Sequence, residues 1–177
     1  MRSKILVLLL FLIYLSAFSQ SSSKYSNEFL NIGVDARSIG MANAVVSSTN
    51  DVNSTYWNPA GLLNIERDEI SLMHSNYFAN IANYNYISYA KKVDDQSAIG
   101  FSLIRFGVDD IMDTTQLIDN QGNIDFNRIE LFSAADYAFL FSYAKKNNFL
   151  NLNYGLNVKI IRRIIGDFAN SWGFGFD

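Results

Sequence analysis

The sequence predicts an all-β fold, a transmembrane antiparallel β-barrel with an N-terminal plug, on the basis of three observations. Residues 133–145 and 151–160 alternate bulky apolar side chains with small or polar ones, the period of a β-strand. Strands of this length exceed the roughly five or six residues usual in soluble proteins and match the roughly 9–11 that cross a bilayer at a tilt. The bulky faces carry no charge until the strand ends, as a lipid-facing surface requires.

The composition of the 177-residue chain disfavours several classes of function. Hydrophobic residues make up 49%, which excludes intrinsic disorder, and a net charge of -3 provides no basic surface for nucleic acid. The chain has no cysteine, so thiol catalysis, disulfides and Cys-based zinc sites are excluded. Any histidine-dependent site would rest on His74 alone. We therefore expect no enzyme activity, no catalytic residues, no cofactor and no nucleic-acid partner.

Residues 1–20 are predicted to be a cleavable signal peptide. Arg2 and Lys4 form a positive start, residues 5–15 are an unbroken apolar run, and Ala17 and Ser19 are small residues near a cleavage site. The run is shorter than the roughly 20 residues that a spanning helix needs. A buried N-terminal helix is the weaker alternative, because nothing amphipathic accompanies the run. The protein is thus predicted to be exported, and the alternating strands favour the outer membrane.

Residues 21–68 differ in chemistry from the strands and are predicted to form a hatch or plug. Asp35 is expected to cap a helix that continues to residue 46. Small residues recur every four positions in it and predict a face for close packing: Ala36, Gly40 and Ala44. Asn58 and Pro59 fit the N-cap and first position of a further turn over residues 60–63. A periplasmic cap that never enters the lumen is the alternative to a plug.

Residues 69–177 are predicted to form the N-terminal part of the barrel. The predicted strands cover residues 69–78, 84–92, 97–106, 133–145, 151–161 and 171 onward. Short connections at 93–96 and 146–148 are expected to alternate with longer ones, at 107–132 and after the fifth strand, as in a barrel with periplasmic turns and extracellular loops. Bacterial barrels begin at about eight strands, so the chain is expected to be an N-terminal fragment of a longer barrel.

The fourth and fifth strands predict which side chains face lipid. These are Tyr137, Phe139, Phe141, Tyr143, Leu152, Tyr154, Leu156 and Val158. The opposite face would line the lumen, so arginine is expected to be tolerated far better at Ser142 than at Phe141. A secreted β-sandwich also alternates, and it remains the alternative in which the protein is a soluble surface adhesin.

Two other acidic patterns are weak candidates for sites. Asp119 and Glu130 stand at the ends of a twelve-residue span, but Ile124 occupies the position where a calcium loop needs glycine. The acids at positions 109, 110 and 113 are better explained by a solvated loop. No metal site is predicted.

The segment before the strands contains two recognisable motifs, Asp-Ala-Arg at residues 35–37 and Trp-Asn-Pro-Ala at residues 57–60. With their surroundings at 29–44, 50–53 and 56–62, they resemble the N-terminal signature of PorV/PorQ-like outer-membrane proteins of the type IX secretion system. These are relatives of the FadL fatty acid transporters, found in Bacteroidetes. The hatch-motif positions are Asp35, Ala36, Arg37, Gly40, Trp57, Asn58, Pro59, Ala60 and Gly61. The resemblance extends through residues 161–163 and 172–177.

The resemblance implies a FadL-like barrel with an N-terminal hatch. In that family the PorV protein binds the translocon, receives cargo through the C-terminal signal domain of the cargo and passes it to a surface attachment complex. We therefore expect a shuttle or scaffold whose partners are outer-membrane lipid, secretion-system proteins and secreted cargo. The same motifs also suit a FadL-like channel, whose partners would be hydrophobic small molecules.

Overall fold

The computed structural model describes residues 27–118, 121–149 and 151–177, and the chain divides into two compact units, residues 1–31 and 32–177. The predicted signal peptide and Asp119 lie outside the described residues. The described part of the first unit is a 3₁₀ helix, Glu28–Asn31, in which the Asn31 amide donates to the Glu28 carboxylate at 2.9 Å. The elements described below all belong to the second unit.

Three short helices of the second unit precede the sheet, and two of them begin where Asp35 and Asn58 predict. They are α1 (Ala36–Gly40), α2 (Ser54–Trp57) and a second 3₁₀ helix, Pro59–Asn64. The Asp35 carboxylate accepts the Ser38 N–H at 2.9 Å and caps α1. The Asn58 side chain accepts the Ala60 N–H at 3.3 Å and caps the second 3₁₀ helix. Within the described ranges, no helix is long and apolar enough to cross a membrane.

The prediction of a helix reaching residue 46 is wrong, because α1 ends at Gly40. The Ala42 N–H bonds to the Ile39 carbonyl at 3.0 Å and the Asn43 N–H bonds to the Ser38 carbonyl at 2.8 Å, the Schellman arrangement that terminates a helix. Ala42 and Asn43 adopt φ angles of 52° and 64°, the region that glycine adopts most easily. Positions 42 and 43 are not glycine, so the sequence pattern could not reveal that the helix ends before them.

Six antiparallel strands form one open sheet in chain order, which confirms the all-β prediction. The strands are β1 (Glu69–Tyr77), β2 (Ala82–Asp94), β3 (Ser97–Asp113), β4 (Glu130–Asn147), β5 (Leu152–Ile165) and β6 (Ala169–Phe176). The four central strands have 13, 17, 18 and 14 residues, well above the usual length of strands in soluble proteins. β1 and β6 form the edges of the sheet.

The predicted alternation of short and long connections holds at the third connection and is wrong at the fifth. The third connection is long, at residues 114–129, whereas the fifth is a short turn at residues 166–168. The β3–β4 register shifts between Val108 and Ile111, and Asp110 adopts a φ of 57° there. Such a β-bulge inserts a residue and breaks the period of two. The sequence pattern therefore ended although the strand continued.

The two faces of the sheet differ in chemistry. All eight side chains predicted to face lipid share one face, which we call the outer face, and the register pairs Phe141 with Val158 and Tyr143 with Leu156. Phe141 is 48% exposed and Leu156 is 49% exposed. The inner face combines small or polar side chains, such as Ala90, with large ones, such as Tyr84 and Ile104, and these side chains are buried. The difference indicates that the inner face is covered by another part of the chain.

Candidate functional site

The inner face is covered by residues 51–65, which contain α2 and the second 3₁₀ helix and which we call the covering segment. Apolar side chains of this segment join alanines of β2, β3 and β4 in one buried core: Val52, Leu62, Ile65, Ala90, Ala98 and Ala144. Leu62 and the three alanines have no exposed surface. Alanine fits at these strand positions because the larger side chains of the covering segment fill the space above it.

Thr55 of α2 is fully buried and bonds to four consecutive strands. Its hydroxyl lies 2.9 Å from the Ser88 hydroxyl on β2 and also reaches the Ser102 hydroxyl on β3. Its carbonyl accepts hydrogen bonds from the Ser142 hydroxyl on β4, at 3.2 Å, and from the Asn157 amide on β5, at 2.8 Å. A buried polar group is costly unless it has hydrogen-bond partners. The covering segment and the strands therefore satisfy one another's polar groups.

The expectation that arginine would be tolerated at Ser142 is wrong. Ser142 lies on the inner face, as predicted, but only 5% of it is exposed. Its hydroxyl, which has a single hydrogen to donate, lies 3.2 Å from the Thr55 carbonyl and 3.1 Å from the Asn157 side-chain oxygen. A guanidinium would have to displace the covering segment. The sequence indicated the face of the sheet correctly and gave no sign that the face is filled.

Two glycines of the sheet lie directly beneath the covering segment. A Cβ atom added to Gly155 on β5 would lie 2.6 Å from the Pro59 Cβ and closer still to the Ala60 nitrogen. A Cβ atom added to Gly100 on β3 would overlap the Thr55 methyl group. These distances allow no side chain, so the backbones can approach this closely only at glycine.

The Trp-Asn-Pro-Ala motif builds the covering segment itself. The Asn58 side-chain amide donates to the Val46 carbonyl at 3.0 Å, while its oxygen caps the second 3₁₀ helix. Gly61 is buried, and an added Cβ would lie 2.6 Å from the Ser54 hydroxyl. The motif therefore fixes the path of the chain from α2 into the second 3₁₀ helix.

Aromatic side chains extend from α2 beside this motif. The Trp57 ring packs edge-to-face against Tyr56, with ring centres 4.7 Å apart. Burial raises the pKa of the Tyr56 hydroxyl to about 12, so this group is neutral at physiological pH.

The Asp-Ala-Arg motif occupies a different environment. The Asp35 N–H points to the Met73 sulfur on β1 at 3.2 Å, whereas Ala36, Arg37 and Gly40 are exposed. Nothing lies within 4 Å of a Cβ atom added to Gly40. The predicted close packing of the face formed by Ala36, Gly40 and Ala44 is therefore wrong, since all three residues are exposed. The structure leaves this end of α1 accessible.

The inner face also carries charge beyond the covering segment. Arg163 on β5 and Asp136 on β4 form a paired contact, with Nη2 and Oδ2 at 2.8 Å. Lys159 on β5 pairs with Asp177. Among the residues that the structure describes, no group of three or more His, Cys, Asp or Glu side chains is placed to hold a metal ion. The described inner face therefore combines ion pairs with the packed core.

Together, the sheet and the segment packed on it define an all-β protein that covers one face of its own sheet with N-terminal residues. A family model for the type IX secretion system protein PorV matches residues 18–175. The chain belongs to this family, which confirms the resemblance in the motifs and indicates a protein of type IX secretion. Searches of curated proteins and of solved structures found no significant match.

Sequence reasoning missed the polar side chains that hold the covering segment. They are Thr55, Ser88, Ser102, Ser142 and Asn157. Up to 102 positions separate two of them that are bonded in the structure, Thr55 and Asn157. The single available signal was the small or polar character of alternate strand positions, which identifies a face and not a contact.

Replacing Thr55 with valine is expected to reduce the free energy of unfolding by about 1–3 kcal/mol, because the buried hydrogen bonds of the Thr55 hydroxyl to the Val52 carbonyl and to the Ser88 and Ser102 hydroxyls are lost. Urea titration of the folded protein would measure this. The matched control is Thr49→Val, since the Thr49 hydroxyl is buried with no hydrogen-bond partner within the described ranges. Equal effects of the two substitutions would contradict the role of Thr55.

Replacing Gly155 with alanine is expected to destabilise the protein by about 1–3 kcal/mol, because the new methyl group overlaps Pro59 and Ala60. Gly40→Ala is the control, where open space and a helical position predict no loss and a gain of up to about 1 kcal/mol. The same titration measures both variants. A neutral Gly155→Ala would show that the covering segment does not rest on β5.

Proposed function

We propose that this sheet is part of an outer-membrane β-barrel that serves type IX secretion as a PorV-like shuttle or scaffold, binding the translocon or its cargo. In this proposal, residues 1–20 are the export signal, residues 21–68 form a hatch with the covering segment as its plug, and residues 69–177 belong to the barrel wall. The carrying observation is the difference between the two faces of the sheet, in a chain that belongs to the PorV family.

The strand register supports lipid as the solvent of the outer face. Two successive cross-strand rows on this face are apolar on all six strands. The first row is Leu72, Ile87, Leu103, Phe139, Ile160 and Phe174, and the second is Ile70, Tyr89, Phe101, Phe141, Val158 and Phe176. No charged side chain interrupts these rows. A band of this kind around the outside is typical of transmembrane barrels.

Charged side chains bound the apolar band at both ends, at a separation that suits a membrane. Arg105 and Arg162 lie in the row before the band, and Lys91 and Lys145 lie towards the opposite strand ends. From Tyr137, in the row of the arginines, eight residue steps along β4 reach Lys145, about 26 Å at 3.3 Å a residue. At the strand tilt of about 40° found in barrels, this corresponds to a band of about 20 Å, close to the known ~25 Å.

Lipid surroundings would also require that the sheet be closed. The outer edges of β1 and β6 have no neighbouring strand in the described sheet. Unpaired backbone groups are not tolerated in hydrocarbon, so a bilayer location calls for further strands that complete a FadL-like barrel.

The covering segment favours protein handling over solute transport. It packs on the inner face of β2 to β5 through the Thr55 bonds and through the close contact at Gly155. A channel for hydrophobic solutes would need an open apolar path along that face. The packing of the segment leaves no such path at these strands, and this supports the shuttle or scaffold.

Replacing Val158 with arginine is expected to cost about 2–4 kcal/mol of folding free energy if the side chain lies near the bilayer midplane. The control is Lys159→Arg at the next position, which keeps a charge on the inner face and should change stability by less than about 0.5 kcal/mol. Folding titrations into lipid vesicles compare the variants. Equal costs, or recovery of the native protein in the soluble periplasmic fraction, would contradict the barrel.

Deleting the gene is expected to trap cargo proteins with the type IX signal in the periplasm while uptake of fatty acids stays unchanged. Surface proteomics and labelled fatty acid uptake measure the two phenotypes in one strain. The control is complementation with the wild-type gene. Normal display of all such cargo combined with reduced uptake would favour the FadL-like channel, provided that deletion of paralogues gives the same result.

A further inference from the structure

One cross-strand row on the outer face is polar, aromatic and cationic over the whole width of the sheet. The row contains His74, Asn85, Arg105, Tyr137, Arg162 and Trp172, each paired with the next in the strand register. We call it the polar row. It borders the apolar row that begins with Leu72 and ends with Phe174. The outer face therefore passes from apolar to polar between two successive rows.

A groove lies on the outer face where these two rows meet. Its volume is about 490 Å³. The apolar part is lined by Leu72, Ile87 and Leu103, and the polar part includes Arg105 and Tyr137. Leu72 is 71% exposed, so no other described part of the chain covers the apolar end. The groove is thus shaped for a molecule with an apolar tail and a polar head.

The guanidinium of Arg105 is held in position at the polar end. Its Nη2 donates to the Asp109 carboxylate and its Nε donates to the Tyr137 hydroxyl at 3.3 Å. Among the described residues Nη1 has no partner, and the side chain is 25% exposed. The Arg105 guanidinium is therefore held in one orientation, and its Nη1 can still donate a hydrogen bond to a ligand.

Arg162 stands one strand beyond Tyr137 and supplies the net charge of the row. Its guanidinium carbon lies 4.9 Å from the centre of the Trp172 ring, a cation-π contact. In the part of the chain that the structure describes, Arg162 has no acidic partner and its Nε makes no hydrogen bond. Because Asp109 neutralises Arg105 and nothing neutralises Arg162, the row carries net positive charge.

We propose that the polar row and its groove bind a membrane lipid with an anionic phosphate headgroup. The phosphate lies over Tyr137 between Arg105 and Arg162, and an acyl chain follows the apolar lining at Leu72 and Leu103. Guanidinium groups match phosphate oxygens in charge and in donor geometry. The site rests on the proposed function, since a bilayer supplies this lipid to the outer face.

The test measures which lipids the full-length protein retains. The protein is reconstituted in nanodiscs with equal amounts of phosphatidylglycerol and phosphatidylcholine, extracted gently, and analysed by native mass spectrometry. We expect wild-type protein to retain phosphatidylglycerol preferentially. Arg162→Gln alone should lower that preference about tenfold, and Arg105→Gln/Arg162→Gln should abolish it, as expected for lost charge-assisted hydrogen bonds.

The control is Lys91→Gln/Lys145→Gln, which removes two cations near the opposite end of the same outer face. This variant should keep the preference, and an equal loss would overturn the site. Displacement of the lipid by inorganic phosphate alone would also overturn it, because the acyl groove would then play no part. Leu72→Ala/Leu103→Ala, which leaves both arginines in place, should reduce lipid retention.

Folding state separates this inference from the proposed function. Every variant is first scored for bilayer insertion and for faster gel migration before boiling than after it. Insertion of a heat-modifiable barrel that retains both lipids equally would overturn the lipid site and leave the barrel intact. Failure of the wild-type protein to insert would overturn both.

Discussion

The hydrogen bonds of Thr55 are the constraint on which the arrangement of the molecule depends. One buried residue joins the covering segment to β2, β3, β4 and β5 through its hydroxyl and its carbonyl. The partners are themselves buried, so separation of the segment from the sheet would leave several polar groups without partners unless water entered. The covering segment is therefore an integral part of the folded sheet.

The packing around Thr55 explains the composition of the two faces. The inner face has glycine where the covering segment approaches most closely, with its backbone at Gly155 and with the Thr55 methyl group at Gly100. The outer face has large apolar side chains because nothing else in the described chain packs on it. The alternation of side chains along each strand thus gives one face that packs against the covering segment and one face that, as we propose, contacts lipid.

Ion pairs occur on both faces of the sheet. Arg163 and Lys159 of the inner face are paired with acids, Asp136 and Asp177. On the outer face, Arg105 is paired with Asp109, whereas Arg162 lies against Trp172 instead of an acid. Cations and aromatic side chains together are typical of the boundary between hydrocarbon and water. The proposed lipid site therefore lies at the proposed membrane boundary, next to the charge of Arg162, which has no acidic partner among the described residues.

The sequence by itself determined the strand class, the faces of β4 and β5, the caps at Asp35 and Asn58, and the family. These features are local, since a period of two or a capping side chain depends on neighbours a few positions away. Tertiary structure alone decided the end of α1 at Gly40, the continuation of β3 through the bulge at Asp110, and the burial of Ser142. In each case the contacting residue is distant in sequence, or the backbone adopts a conformation that the residue type does not predict. The site at Thr55 could not be read from the sequence because its partners meet only when strand register aligns them.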